Sequence, residues 1–262
     1  MGDRVVTEPA PAKLNPFLRV VGPRPDGYHD IETLILPLTL ADGVQVIAAD
    51  DLRLRVVGER AGEVPSGDDN LAIRAAQALR QESGTDAGAQ LLVSKKIPAA
   101  AGLGGGSADA AATLRALNEL WGLGLGTNKL AEIGAAVGSD VPALMPRGPV
   151  VARGRGERVE VVPIPRTWWV LVTFDQGVST ADAYGWWDEQ EPRSNGDAEA
   201  VLMALENGDA DVAGPVLFND LEPAVLSRRD DVRAAKEELL DAGATGAVLC
   251  GSGPTVAGLA RD

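Results

Sequence analysis

Pro98-Ala99-Ala100-Ala101-Gly102-Leu103-Gly104-Gly105-Gly106-Ser107-Ala108-Asp109 runs directly into a segment ending at Trp121 in which Ala111, Leu114, Leu117 and Trp121 share one helical face. Glycine at 102, 104, 105 and 106 lets the main chain approach a ligand with no Cβ in the way. A helix over Ser107–Trp121 aims unpaired N–H groups and its positive end at the same spot. Together these describe an anion site, most naturally for a nucleotide phosphate. The stretch is not a Walker A loop, because Gly106 meets Ser107 with no lysine between them. Nor is it the dinucleotide fingerprint, because Ser107 stands where the last glycine belongs. A glycine connection before an alanine-rich core helix has a similar composition; the helix directly behind it favours phosphate. On this reading a branched side chain at Gly105 occupies phosphate space.

Working outward, apolar runs predict strands at Leu18–Val21, Ile31–Leu40, Gly43–Ala48, Leu52–Val57, Ala89–Ser94, Val150–Ala152, Val159–Val162, Trp168–Phe174 and Ala247–Cys250. Helices are predicted at Leu71–Gln81, behind the capping cluster Asp68-Asp69-Asn70, and from a Thr127 cap to Gly138 as a C-terminal glycine. Two more are expected at Ala198–Glu206 and Asp230–Ala242, the latter stopped by Gly243. Strands and helices mix without strict alternation, so the fold class is α+β. The polar stretch Glu189–Asp197 reads as a linker, and no internal repeat is visible.

The 262 residues are 45% hydrophobic and 24% charged, a globular composition that rules out wholesale disorder. Acidic residues number 38 against 24 basic, a formal charge of −14 that disfavours nucleic acid and anionic membrane as partners. An anionic ligand must therefore find its few cations and amides gathered locally. The single cysteine, Cys250, forms no internal disulfide and no metal cage. With no signal-like apolar run near Met1 and no membrane-length stretch, the expected location is the cytoplasm.

Four further segments carry chemistry-bearing residues. Ala12-Lys13-Leu14-Asn15-Pro16-Phe17 places a lysine at the entry to an apolar strand, where it needs an anionic partner if buried. Taken alone, a solvent-facing lysine at a strand edge is the commoner case. Pro25-Asp26-Gly27 is a turn that presents Tyr28 and His29, the only histidine. Gly138-Ser139-Asp140-Val141-Pro142 holds an acid among apolar neighbours, either a turn former or a positioned base. Cys250-Gly251-Ser252-Gly253-Pro254-Thr255 either closes over a ligand or joins two strands.

In this order, and with Gly154-Arg155-Gly156-Glu157, these segments resemble the GHMP kinases over nearly the whole chain. The Asp-Gly-Tyr-His block is similar to the branch acting on a cytidyl diphosphate alcohol. The resemblance implies a two-lobed fold: a ribosomal protein S5 domain 2-like lobe over 1–165 with the phosphate-binding glycine loop, and a ferredoxin-like lobe over 166–262. It implies ATP and a divalent cation, most commonly Mg²⁺, a small-molecule cytidyl diphosphate substrate, and a monomer or homodimer. By similarity Lys13 and Asp140 are the catalytic pair, Lys13 holding Asp140 ionised. Lys95, Pro98, Gly102, Leu103, Gly104, Gly105, Gly106 and Ser107 face ATP, and Asn15, Tyr28 and His29 face the substrate. Tyr184 or Trp186 is the expected stacking partner of Tyr28. Pro16 departs from the apolar residue usual in the family, with an effect on strand pairing. Relatives continue past the position of Asp262 by about a helix and a strand, so a shortened second lobe is expected. Other members of the family act on homoserine, mevalonate-type or sugar substrates, and an inactive metabolite binder is a further alternative; the Tyr28-His29 pair and the Lys13/Asp140 pair speak against them.

Overall fold

The computed structural model describes residues 4–190 and 196–261. The larger sheet starts with β1 (Val5–Leu14), β2 (Phe17–Pro23), β3 (His29–Ala49) and β4 (Leu52–Val57). Helix α1 (Leu71–Ser83), β5 (Gly88–Ser94), α2 (Gly105–Leu120) and α3 (Thr127–Ala135) follow, then the hairpin β6 (Val150–Gly154) and β7 (Arg158–Val161). The C-terminal part contains β8 (Trp168–Val172), α4 (Thr180–Asp188), α5 (Ala198–Glu206), α6 (Ala210–Ala213) and β9 (Phe218–Asn219). It closes with α7 (Glu222–Leu226), α8 (Asp230–Asp241), β10 (Gly246–Leu249) and β11 (Val256–Ala260).

The 21-residue β3 is the spine of an eight-stranded sheet. Two separate strands were expected here, broken at Ala41-Asp42; the chain instead runs through and changes partners. Its first half pairs with β2 and β6, and its second half with β1 and β5. Strand β1, absent from the sequence reading, carries Pro9 and Pro11, which argue against a central strand. It pairs with β3 alone, so it is an edge strand and the missing N–H groups cost no ladder bond.

Helices α1 and α2 cover one face of this sheet. Ala111, Leu114 and Leu117 of α2 are fully buried against Val44, Val46, Leu91 and Val93. Each such leucine contributes about 1.5–3 kcal/mol relative to exposure. In β10–β11–β8, the smaller antiparallel sheet, Ala257 and Leu259 share a second core with Leu14 and Leu103. The two-residue β9 returns from the C-terminal part and pairs in parallel with β2, starting where Phe218 N–H donates to Pro16 C=O at 3.3 Å. Pro16 thus falls at the break between β1 and β2, and its carbonyl stitches the two halves together.

Several boundaries differ from expectation. Helix α2 starts at Gly105, with left-handed Gly104 as its N-cap, so three residues of the glycine run belong to the helix start. Helix α3 is preceded by Gly126 rather than capped by Thr127, and ends at Ala135; Gly138 lies in the turn beyond. Residues 180–188 and 256–260 form elements that the sequence reading did not assign. The expected linker at Glu189–Asp197 falls mostly outside the described residues.

Candidate functional site

The site is built where segments from both halves of the chain converge on a cavity of 580 Å³. Strand β1 supplies Lys13. Its register against β3 slips between Pro11 and Lys13, a bulge of the kind that redirects a side chain. Lys13 N–H donates to Leu103 C=O at 2.9 Å, tying the strand to the glycine loop. Its side chain is 5% exposed, and Nζ donates to Asn15 Oδ1 at 2.8 Å. Asn15 in turn donates to Thr33 Oγ1 at 2.8 Å, and Thr33 donates to Phe17 C=O. This buried chain sets the direction of the ammonium.

The glycine loop lies against Lys13 and against the C-terminal turn. Gly104 has φ +68°, and a Cβ there would meet Lys13 Cγ at 2.9 Å. At Gly102 a Cβ would sit 2.1 Å from Cys250 C=O, and at Gly251 2.7 Å from Lys13 Nζ. The Cys250–Thr255 segment, ambiguous in the sequence, therefore closes over the loop and the lysine. Contacts this tight leave room for glycine alone.

Asp140 sits in the turn between α3 and a short 3-10 turn at Pro142–Leu144. Buried Val141 anchors that turn, and Gly134 on α3 lets it in: a Cβ at Gly134 would lie 2.6 Å from Val141 Cγ1. Gly156 backs the turn from the β6–β7 hairpin, 3.1 Å from Ser139 C=O by the same measure. Lys13 and Asp140 line the same cavity. The expected ion pair between them is not formed, because the Lys13 ammonium is engaged by Asn15 and no carboxylate lies within 4.0 Å of it among the described residues.

Lys95, expected to face the nucleotide, lines the cavity but directs its ammonium beneath the loop. It is 1% exposed and pairs with Asp42 and, at 2.6 Å, with Asp109. Burial opposes the Lys95 charge, yet Asp109 and Asp42 outweigh it and raise its pKa above the ordinary lysine value. Burial also pushes the Asp109 carboxyl up to about 7, against the pull of Lys95. One cation cannot neutralise two buried carboxylates, and Asp109 carries the difference. Its Oδ1 is buried without a hydrogen-bond partner.

The aromatic residues gather differently from expectation. Tyr28, half exposed, stacks under the Arg155 guanidinium at 3.6 Å, not under Tyr184 or Trp186. Tyr184 instead stacks on His29, with ring centroids 4.8 Å apart, and Trp187 meets His29 edge-on at 5.6 Å. His29 Nε2 lies 2.9 Å from Asp188 Oδ1. Trp186 takes Arg228 over its face at 5.1 Å. Of the aromatic candidates only Tyr184 reaches the cavity wall; Tyr28, His29 and Trp186 stand outside its lining. Burial, with Asp140 and Asp220 adding, drives the Tyr184 hydroxyl pKa upward, so it stays protonated and able to donate.

Asn15, Lys95, Pro98, Gly102, Gly104, Gly105, Gly106 and Ser107 all line the cavity, whereas Leu103 is fully buried in the core beneath it. Sequence reasoning missed Thr33, Asp109, Ser252 and the wall formed by Pro65, Asp69, Asn70 and Leu71. Asn70 was read only as a cap, which it is: Oδ1 accepts from Ala72 N–H at 2.9 Å while Nδ2 donates to Pro65 C=O. Its cavity position has no sequence signal. Among the described residues no helix is long and apolar enough to cross a membrane, and no group of three His, Cys, Asp or Glu side chains gathers to hold a metal.

A glycine loop at a helix start, a buried lysine and an aspartate meet around one cavity, an arrangement suited to phosphoryl transfer to a small molecule. Residues 70–148 match the GHMP kinases N terminal domain and residues 201–262 the GHMP kinases C terminal domain, so the chain belongs to the GHMP kinases. Its relatives narrow the class. The chain is 44% identical to the 4-diphosphocytidyl-2-C-methyl-D-erythritol kinase of Pelotomaculum thermopropionicum, covering 98% of this chain and 90% of that one. It is 40% identical to the enzyme of that name from Nocardia farcinica, over 97% of this chain and 84% of the other. A crystal structure of 4-(cytidine 5'-diphospho)-2C-methyl-D-erythritol kinase superposes with a TM-score of 0.79 at 32% identity, covering 97% of this chain and 90% of that one. The homoserine kinase of Cytophaga hutchinsonii, with a TM-score of 0.75 at 21% identity over 98% of this chain and 85% of that one, shares the fold.

Proposed function

We propose that the protein transfers the γ-phosphoryl group of ATP to the 2-hydroxyl of 4-(cytidine 5'-diphospho)-2-C-methyl-D-erythritol, a step in non-mevalonate isoprenoid precursor synthesis. The observation that carries this reading is the meeting of Lys13, Asp140 and the Gly102–Ser107 loop around one cavity. The relatives' shared name supports the choice of acceptor.

Phosphoryl transfer depends mainly on positioning and charge stabilisation. The first-turn amides of α2 and the loop receive the triphosphate, where the helix end is positive. A carboxylate is a weaker base than an alkoxide by about 12 pKa units, roughly 16 kcal/mol. Asp140 therefore orients the acceptor hydroxyl and takes its proton as the bond to phosphorus forms. Lys13, held on Asn15 rather than on Asp140, is placed to stabilise charge on the attacking oxygen. Tyr184 offers the cavity an aromatic face for the base, with His29 stacked behind it.

A divalent cation fits this donor set. Mg²⁺ is usually held by nucleotide phosphates and one or two protein oxygens, and the Ser107 hydroxyl on the cavity wall would supply one such oxygen. When bound, the cation would neutralise charge on the triphosphate.

ADP release measured with ATP alone, and then with the cytidyl diphosphate acceptor, tests the reading. Turnover is expected only with the acceptor, and homoserine or mevalonate should not replace it. Equal ADP release without the acceptor would remove the assignment.

A further inference from the structure

The cavity floor contains a buried charge cluster that the phosphoryl-transfer reading leaves unused. Asp42, in the middle of β3, accepts from the backbone N–H groups of Lys96 and Ile97 with one oxygen and from Lys95 Nζ with the other. Lys95 Nζ also donates to Asp109, one turn inside α2. The three side chains are 0 to 4% exposed. They join the sheet, the strand-to-loop connection and the helix that carries the glycine loop. A charge cluster this deep is costly unless its geometry is held, and removing one member leaves the others unpaired.

The cluster touches the loop itself. A Cβ built on Gly105 points at Ile97, 3.0 Å away, and at Lys95 Nζ, 3.5 Å away. The underside of Gly105 therefore rests on the Lys95–Ile97 segment. This overturns the expectation that a side chain at Gly105 enters phosphate space; it would press on the cluster.

We propose that Asp42, Lys95 and Asp109 form a clamp that positions the glycine loop for the triphosphate, Lys95 acting through the loop and not as a phosphate ligand. Lys95 is then a positioning residue. The inference rests on the reading that the loop receives ATP phosphates.

The two roles for Lys95 predict opposite signs when an acid partner is removed. A phosphate-binding lysine released from Asp109 would bind ATP more tightly wherever Asp109 is ionised, since one negative charge then leaves the site. A clamp loses its grip on α2, and ATP binds more weakly.

Calorimetric titration with ATP alone, and separately with the cytidyl acceptor, reads this without needing turnover. Asp109→Ala and Lys95→Met are each expected to weaken ATP by roughly tenfold or more, the scale of one charge-assisted hydrogen bond, with acceptor affinity within about twofold. The double variant should be no worse than the weaker single, because both remove one link. Asp109→Asn keeps an oxygen for Lys95 and should retain near wild-type ATP affinity, which covers the case in which the alanine variant does not fold. Tighter or unchanged ATP binding in Asp109→Ala would overturn the clamp, as would several-fold tighter binding in Asp109→Asn. Equal loss of both ligands would also overturn it, showing a role in folding alone. Wild-type protein that binds neither ATP nor acceptor would defeat the underlying kinase reading instead.

Discussion

At the scale of single residues, the proposed mechanism divides the chemistry between Asp140 and Lys13. Asp140→Asn is nearly isosteric and leaves the turn held by Val141 intact, but its amide cannot accept the proton. Turnover should fall by about 10²- to 10⁴-fold, the usual contribution of a positioned base, while calorimetric affinities for ATP and acceptor stay within a few-fold. Near-normal turnover in that variant would take the base role from Asp140. The candidacy of these two residues was legible from motif order alone. Their separation was not, because a bulge in β1 and a hydrogen bond to Asn15 decide where the Lys13 ammonium goes. The aromatic pairing was likewise beyond the sequence: Tyr28 and Tyr184 are both present, but the path of the chain gives Tyr184 to His29 and Arg155 to Tyr28.

Elements act here by presenting a residue from the right place. Helix α3 helps to set Asp140 through the notch at Gly134 that receives Val141. Gly134→Ala favours the helix by its propensity, yet its methyl would overlap Val141 Cγ1, and the 138–142 turn must shift. Steady-state kinetics should show kcat reduced by about tenfold or more, since small displacements of catalytic groups are costly, with ATP affinity nearly unchanged. An unaltered kcat would mean that the turn is placed by other contacts. Helix periodicity predicted α1 and α8 to within a few residues because each buries one face, and it placed α2 as well although residues 108–114 of that helix are all buried. Strand β1 escaped because its prolines argue against pairing in a sheet centre, and only its position at an edge makes them harmless. Strand β3 was read as two because Asp42 interrupts its apolar pattern, and that residue proves to be a buried partner of Lys95.

On the scale of the whole molecule, the C-terminal turn and the glycine loop close on each other at Cys250. The thiol is fully buried, and burial pushes its pKa up to about 12. Its carbonyl abuts Gly102. Thiol labelling at pH 8 should therefore be negligible in the folded protein and rapid in denaturant, and ATP should slow any residual labelling by holding the loop against the turn. Fast labelling of the native state would show that this junction opens freely. Sequence alone determined the fold class, the helices with one apolar face and the glycine loop as a candidate phosphate site, while the candidate pair came from resemblance to the family. The helices and the loop are local features: glycine's missing Cβ, helical periodicity and capping act within a few residues of themselves. Only the tertiary structure decided that Lys95 turns beneath the loop, that Lys13 pairs with Asn15 rather than Asp140, and that the Gly251–Gly253 turn closes the site. Each of these depends on the packing: the Lys95 ammonium goes to the carboxylates brought within its reach, the Lys13 ammonium to the Asn15 amide oxygen that the distant Thr33 orients, and the C-terminal turn to the glycine loop it abuts.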